Sequence, residues 1–266
     1  MAIKLLVYAG ITFVFFIGYM KHLESRSIFF PAKEIELSPK DINLSFENIN
    51  IRTPDAIGIH GWFIPHDEAE YTVLFFHGNG GNIGHRLDKI MLLNRLKLNL
   101  FLIDYRGYGK SQGRSTEQGV YIDAQAAYDY LINTINVTPD QIILYGESLG
   151  AAVAIELALK VEIKALITEG AFSSVKDIAK KIYPLMSRFL ITNKFDSINK
   201  IDKINVPKLF IHARDDNTVP FELGKRLYDK AHEPKNLVQL TGGHDEAFLD
   251  SRDKYVDFIS SFINSF

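Results

Sequence analysis

The sequence predicts an α/β fold: one mostly parallel sheet of about eight strands with helices on both faces. Two observations carry this prediction. Short apolar runs with no alternation, at residues 71–76, 99–103 and 141–145, alternate with longer segments of helical apolar spacing. Between one such run and one such helix stands Gly146-Glu147-Ser148-Leu149-Gly150. This is a G-x-S-x-G motif in a strand–turn–helix setting. Such a turn holds its serine in a strained conformation with the hydroxyl exposed, and sets the next N–H at a helix N-terminus. The glycines stand where a side chain would crowd the turn.

Composition sets the outer limits. The 266 residues are 47% hydrophobic and 23% charged, enough apolar material for one large core. A formal net charge of -2, with no clustering of basic residues, gives no reason to expect a nucleic-acid partner. The absence of cysteine removes disulfides, thiolate catalysis and zinc–sulfur sites.

The elements follow in chain order. From Leu5 to Met20 the chain carries no charge, and Ala2 and Ile3 extend this run across Lys4. Its length is just sufficient to cross a bilayer as a helix, with Tyr8 and Tyr19 near the two interfaces. The residues before Lys21 make a poor signal-peptidase site, so residues 1–24 are expected to be an uncleaved single-pass anchor. Residues 25–41 read as a connector, with Phe29-Phe30-Pro31 a contact onto the domain. Residues 42–52 and 57–64 read as a hairpin around the turn at 53–56. Then strand and helix alternate. Strands are expected at 71–76, 99–103, 141–145, 165–168, 208–212 and 236–240. Helices are expected at 82–96, 116–135, 151–159, 221–231 and 246–262. Residues 42–266 thus form one domain. The stretch 172–206 is longer than an ordinary connection and reads as a short cap near the site.

A serine hydroxyl is a weak nucleophile until a base takes its proton, and histidine suits that task near neutrality. Of eight histidines, His244 follows the last strand, in Thr241-Gly242-Gly243-His244. Loops at the carboxyl ends of parallel strands are where such sheets build sites. An orienting carboxylate is expected from Arg214-Asp215-Asp216, after the preceding strand. Asp216 is chosen, with Asp215 in reserve. The loop His77-Gly78-Asn79-Gly80-Gly81-Asn82 follows the first parallel strand. Its glycines allow backbone N–H groups to converge, so the N–H groups of Asn79 and Leu149 are expected to form an oxyanion hole. His77 reads as structural. The loop lacks the lysine pattern of a P-loop.

Together, the blocks 75–82, Asp104-Tyr105-Arg106-Gly107-Tyr108-Gly109-Lys110-Ser111, 146–150 and 242–244 resemble the α/β-hydrolase superfamily. More narrowly, the chain is similar to its single-pass, membrane-anchored abhydrolase-domain members. The resemblance implies an eight-stranded α/β-hydrolase fold and acyl-enzyme hydrolysis. It implies Ser148 as nucleophile, His244 as base and Asp216 as acid. It makes the 104–111 block a structural loop, although Tyr105 and Arg106 could equally touch substrate. The expected partners are an acyl-containing small molecule, a lipid or an acylated protein, without metal or organic cofactor. Esterases, thioesterases and peptidases share the pattern, and the short cap argues against a large-lid lipase or prolyl peptidase.

Overall fold

The computed structural model describes residues 26–182, 191 and 193–266, with residues 4, 7, 8, 10–12, 15, 18 and 19 nearer the N-terminus. Eight strands form the main sheet: β1 (Glu47–Arg52), β2 (Gly58–Ile64), β3 (Thr72–Phe76), β4 (Asn99–Ile103), β5 (Ile142–Glu147), β6 (Ala165–Glu169), β7 (Lys208–Ala213) and β8 (Lys235–Leu240). Their spatial order is β8-β7-β6-β5-β3-β4-β2-β1. Only β2 runs against the rest, pairing antiparallel with both β1 and β4. The sheet is apolar on both faces because helices cover both. Leu74, Phe76, Phe101, Ile103 and Leu144 point to one face, under α2 (Glu117–Tyr130), α3 (Leu149–Ala158) and α5 (Phe221–Lys230). Val73, Phe75, Leu100, Leu102 and Tyr145 point to the other, under α1 (Leu87–Asn94) and α7 (Arg252–Ile263), which follows the short α6 (Ala247–Asp250).

The strand order fixes where a site can form. After β3 the chain crosses to β4 on one side, and β5 lies on the other side. Beyond the carboxyl ends of β3 and β5 the two connections diverge and leave a crevice. The β3–β5 register places Phe76 opposite Gly146. The 77–82 loop therefore sits beside the serine turn.

Some boundaries differ from expectation. Strand β1 starts at Glu47, because residues 39–42 form a 3₁₀ turn. Ser38 and Asp41 cap that turn, and Asn43 closes it in the left-handed conformation. The last helix is two pieces, broken at Ser251. Helix α4 (Val175–Ile182) opens the expected cap, whose two ends are zipped by Val175 N–H to Lys194 O and Ile198 N–H to Ser173 O. Residues 183–190 and 192, the middle of that insertion, lie outside the described residues.

Among the described residues no helix is long and apolar enough to cross a membrane. Most of the anchor expected over residues 1–24 lies outside them. Those that are described in this stretch are helical, and Val7, Tyr8, Ile11, Phe15 and Tyr19 are exposed.

The 104–111 block is structural. Arg106 is buried in a clamp between Asp123 and Asp55, with contacts of 2.9 and 2.6 Å. Tyr105 donates its hydroxyl to the His77 carbonyl. Asp123 is fully buried, so removing its cation strands a charge in the core. The Arg106→Ala variant is expected to lose about 3–5 kcal/mol in urea unfolding.

Candidate active site

The serine turn has the strain the motif predicts. Ser148 adopts φ 51° and ψ -111°, a conformation that L-residues avoid, between the end of β5 and the first turn of α3. Its N–H donates to the Glu169 carbonyl of β6 at 2.7 Å. The turn is possible only with glycine at both ends. A Cβ on Gly146 would lie 2.3 Å from the Gly150 carbonyl oxygen, and one on Gly150 2.0 Å from that of Phe76. Ser148 is thus pressed to the rim of a cleft of about 460 Å³, which it lines with Asn79, His244, Arg86, Lys89, Glu147 and Phe248.

His244 reaches the same cleft from the loop after β8. Gly242, at φ 111°, turns the chain back over the sheet edge. The ring lies against Gly170, at the end of β6, where a Cβ would come within 2.8 Å of the imidazole Cε1. His244 Nδ1 donates to Asp216 Oδ2 at 2.6 Å. An ionised carboxylate can only accept, so the proton is on Nδ1 and Nε2 is left for the cleft.

Asp216, not Asp215, makes this bond. Its other oxygen accepts from the N–H groups of Thr218 and Val219 at 2.9 and 2.7 Å, which fixes the carboxylate plane. Asp215 is exposed. Burial alone would raise the Asp216 carboxyl. Hydrogen bonds from His212 and His244 and the His244 charge outweigh it and hold the group well below the usual carboxylate range. Burial in turn pushes the His244 imidazole down, but its bond to Asp216 and that residue's charge raise it above its ordinary value.

The 77–82 loop forms the facing wall. His77 is fully buried, and its Nδ1 donates to the Gly78 carbonyl at 2.7 Å. In a trans peptide N–H and C=O point opposite ways, so the Asn79 N–H is turned away from His77. Leu149 is the first residue of α3, where helix N–H groups have no intrahelical partner.

Sequence reasoning missed a cluster of ion pairs in the cleft wall. Lys89, in α1, contacts Glu169 at 2.7 Å and Glu147 at 3.4 Å. Arg86 lies 3.4 Å from Glu147 and donates to the Gly80 carbonyl. It thereby links the serine turn to the 77–82 loop. The hydroxyls of Tyr145 and Tyr255 also bond to Glu169. In the sequence nothing singles out Lys89 within the helical stretch 82–96. None of the described residues of the 172–206 insertion lines the cleft.

Known proteins are similar to this chain in sequence and in fold. The chain is 38% identical over 201 residues to protein bem46 of Schizosaccharomyces pombe, covering 71% of this chain and 67% of that one. It is 34% identical over 248 residues to the alpha/beta hydrolase domain-containing protein WAV2 of Arabidopsis thaliana, covering 84% and 80%. This chain belongs to the α/β-hydrolase family. Residues 67–195 of the hydrolase match the family model described as Hydrolase_4, serine aminopeptidase S33. Its fold is shared with the Pyrococcus furiosus esterase Pf2001, at TM-score 0.75 and 22% identity, covering 89% of this chain and 99% of that one.

Because the His244 ring needs the space above Gly170, the Gly170→Ala variant is expected to break the His244–Asp216 bond. Proton NMR should then lose the low-field Nδ1–H signal, and the His244 pKa should fall toward its ordinary value.

Proposed function

We propose that this α/β hydrolase is a membrane-tethered serine hydrolase. It cleaves a carboxylic ester, thioester or lipid acyl bond through an acyl-enzyme. The observation that carries this reading is the 2.6 Å His244–Asp216 bond in a cleft that also presents the strained Ser148. The Ser148 hydroxyl oxygen attacks the substrate carbonyl while its proton passes to His244 Nε2. Asp216 stabilises the resulting imidazolium. The N–H groups of Asn79 and Leu149 receive the negative charge on the former carbonyl oxygen. His244 then gives its proton to the leaving oxygen or sulfur, the acyl–heteroatom bond breaks, and water activated by the same histidine releases the acid. No step calls on a metal or organic cofactor.

The uncharged run at 5–20, with its exposed Val7, Tyr8, Ile11, Phe15 and Tyr19, supports the tether. Ile28 touches the cleft-lining Asn79 through a 3.0 Å hydrogen bond. It stands only about four residues beyond the tether, at most about 14 Å of extended chain. A site so close to the bilayer favours lipid-borne acyl groups or acylated proteins. The esterase with the same fold is in keeping with ester chemistry.

A peptidase of the same fold is the second reading, favoured by the aminopeptidase description of the matching family model. Full-length protein in detergent, given p-nitrophenyl acyl esters and aminoacyl-nitroanilides, separates the two. Ester turnover that is lost in Ser148→Ala is expected; faster turnover of the anilides would favour the peptidase.

The pH profile provides a separate check. The base works only when neutral, and its pKa is raised in the folded protein. The rising limb of kcat/KM should therefore have its midpoint above 6.5. Asp216→Asn should move that midpoint down and lower kcat by about 10,000-fold.

A further inference from the structure

The segment that joins the N-terminal run to the first strand is stitched to one wall of the cleft. Phe30–Pro31 runs parallel to Gly80–Gly81 as a two-residue ladder. The Phe30 N–H donates to the Asn79 carbonyl at 3.0 Å, and the Ala32 N–H to the Gly81 carbonyl at 2.9 Å. Pro31 has no N–H, and it falls between these two donors. The Asn79 side-chain amide reaches back to the Ile28 carbonyl at 3.0 Å, so this one residue is held through both main chain and side chain. Asn82 adds bonds to the carbonyls of Ala32 and Glu34 at 3.2 and 2.6 Å. The segment is itself held down. Phe29 is buried edge-on against Phe195, and Lys33 donates to the Ser111 carbonyl at 2.9 Å.

These contacts bear on the two peptides that meet at the Asn79 Cα. The Gly78 carbonyl is held by His77, and the Asn79 carbonyl by Phe30 and by the Tyr108 hydroxyl at 2.7 Å. The Asn79 N–H shares its peptide with the Gly78 carbonyl that His77 holds, while Phe30 and Tyr108 fix the peptide on the other side of the same Cα, so the backbone of Asn79 is held on both sides. Gly78, Gly80 and Gly81 surround it, and glycine peptides reorient readily when nothing holds them.

We infer that residues 28–34 are a positioning strap that holds Asn79 by its carbonyl and side chain, so that its N–H, in the peptide held by His77, stays where it receives the oxyanion. This rests on the proposed roles of Ser148 and Asn79. Ile28 and Phe30 touch no reacting atom; they act through Asn79. Catalytic competence then depends on the stretch of chain that leads to the tether.

Three full-length variants in detergent test the strap. Phe30→Pro removes the N–H donor. Phe30→Ala keeps it, and the Phe30 side chain is 54% exposed. Asn79→Ala keeps the backbone N–H but loses the bond to Ile28. Phe30→Pro and Asn79→Ala should lower kcat for a p-nitrophenyl ester by about 10- to 100-fold with KM little changed. Both should weaken binding of an aryl trifluoromethyl ketone, whose serine adduct carries an oxyanion, in step with kcat. Phe30→Ala should match the wild type. If Phe30→Pro gives no folded protein, Asn79→Ala decides the matter. An active wild type with unaltered kcat and ketone affinity in the variants overturns the strap alone. So does a fall in kcat with ketone affinity unchanged. A wild type inert to both ester and ketone overturns the serine-hydrolase reading, and the strap with it.

Discussion

Between Gly146 and Gly150 the backbone passes so near itself and β3 that no side chain fits at either end. Everything else in the site is arranged around this close approach. It forces Ser148 into a conformation that costs about 1–3 kcal/mol, which the surrounding sheet must offset. The central position of β5 supplies that support, since β3 pairs with its residues 142–146 and β6 with its residues 143–147. The Ser148 N–H bond to Glu169 fastens the turn to β6 as well. A looser strand could not hold the serine at the cleft rim.

Charge is distributed around the turn in two sets. Above it, one carboxylate faces one imidazole, and each raises the other's preference for the charged state. Along the cleft wall, the half-buried Arg86 and the buried Lys89 face Glu147 and Glu169. Burial would raise the Glu147 carboxyl, yet the two cations hold it low. These bonds join α1, the 77–82 loop and the serine turn, the parts whose relative positions the proposed chemistry requires. Such pairs contribute less to stability than to uniqueness of position, because desolvation cancels much of their attraction.

The features legible in the sequence were those written in a short window. Two-sided apolar strands, the glycine-flanked serine and the glycine pair before His244 each depend on neighbours a few residues away. Asp216 against Asp215 could not be settled by pattern, because the deciding contacts are the Thr218 and Val219 N–H groups that orient one carboxylate. Arg106 could be read as structural or substrate-facing until Asp55 and Asp123 were seen on either side of it. Lys89 was illegible for a different reason. A lysine in an amphipathic helix normally faces water, and its burial is explained by carboxylates far along the chain, Glu147 and Glu169. The ladder between Phe30–Pro31 and Gly80–Gly81 is likewise a pairing of distant segments with no periodicity of its own.

The central claim is that Ser148 is a nucleophile activated by His244 and Asp216. The most direct measurement is peptide mapping by mass spectrometry after the full-length protein reacts with a fluorophosphonate. A single phosphonyl adduct on Ser148 is expected, formed far more slowly in His244→Ala. An unmodified Ser148, or an adduct formed as fast without His244, would contradict it.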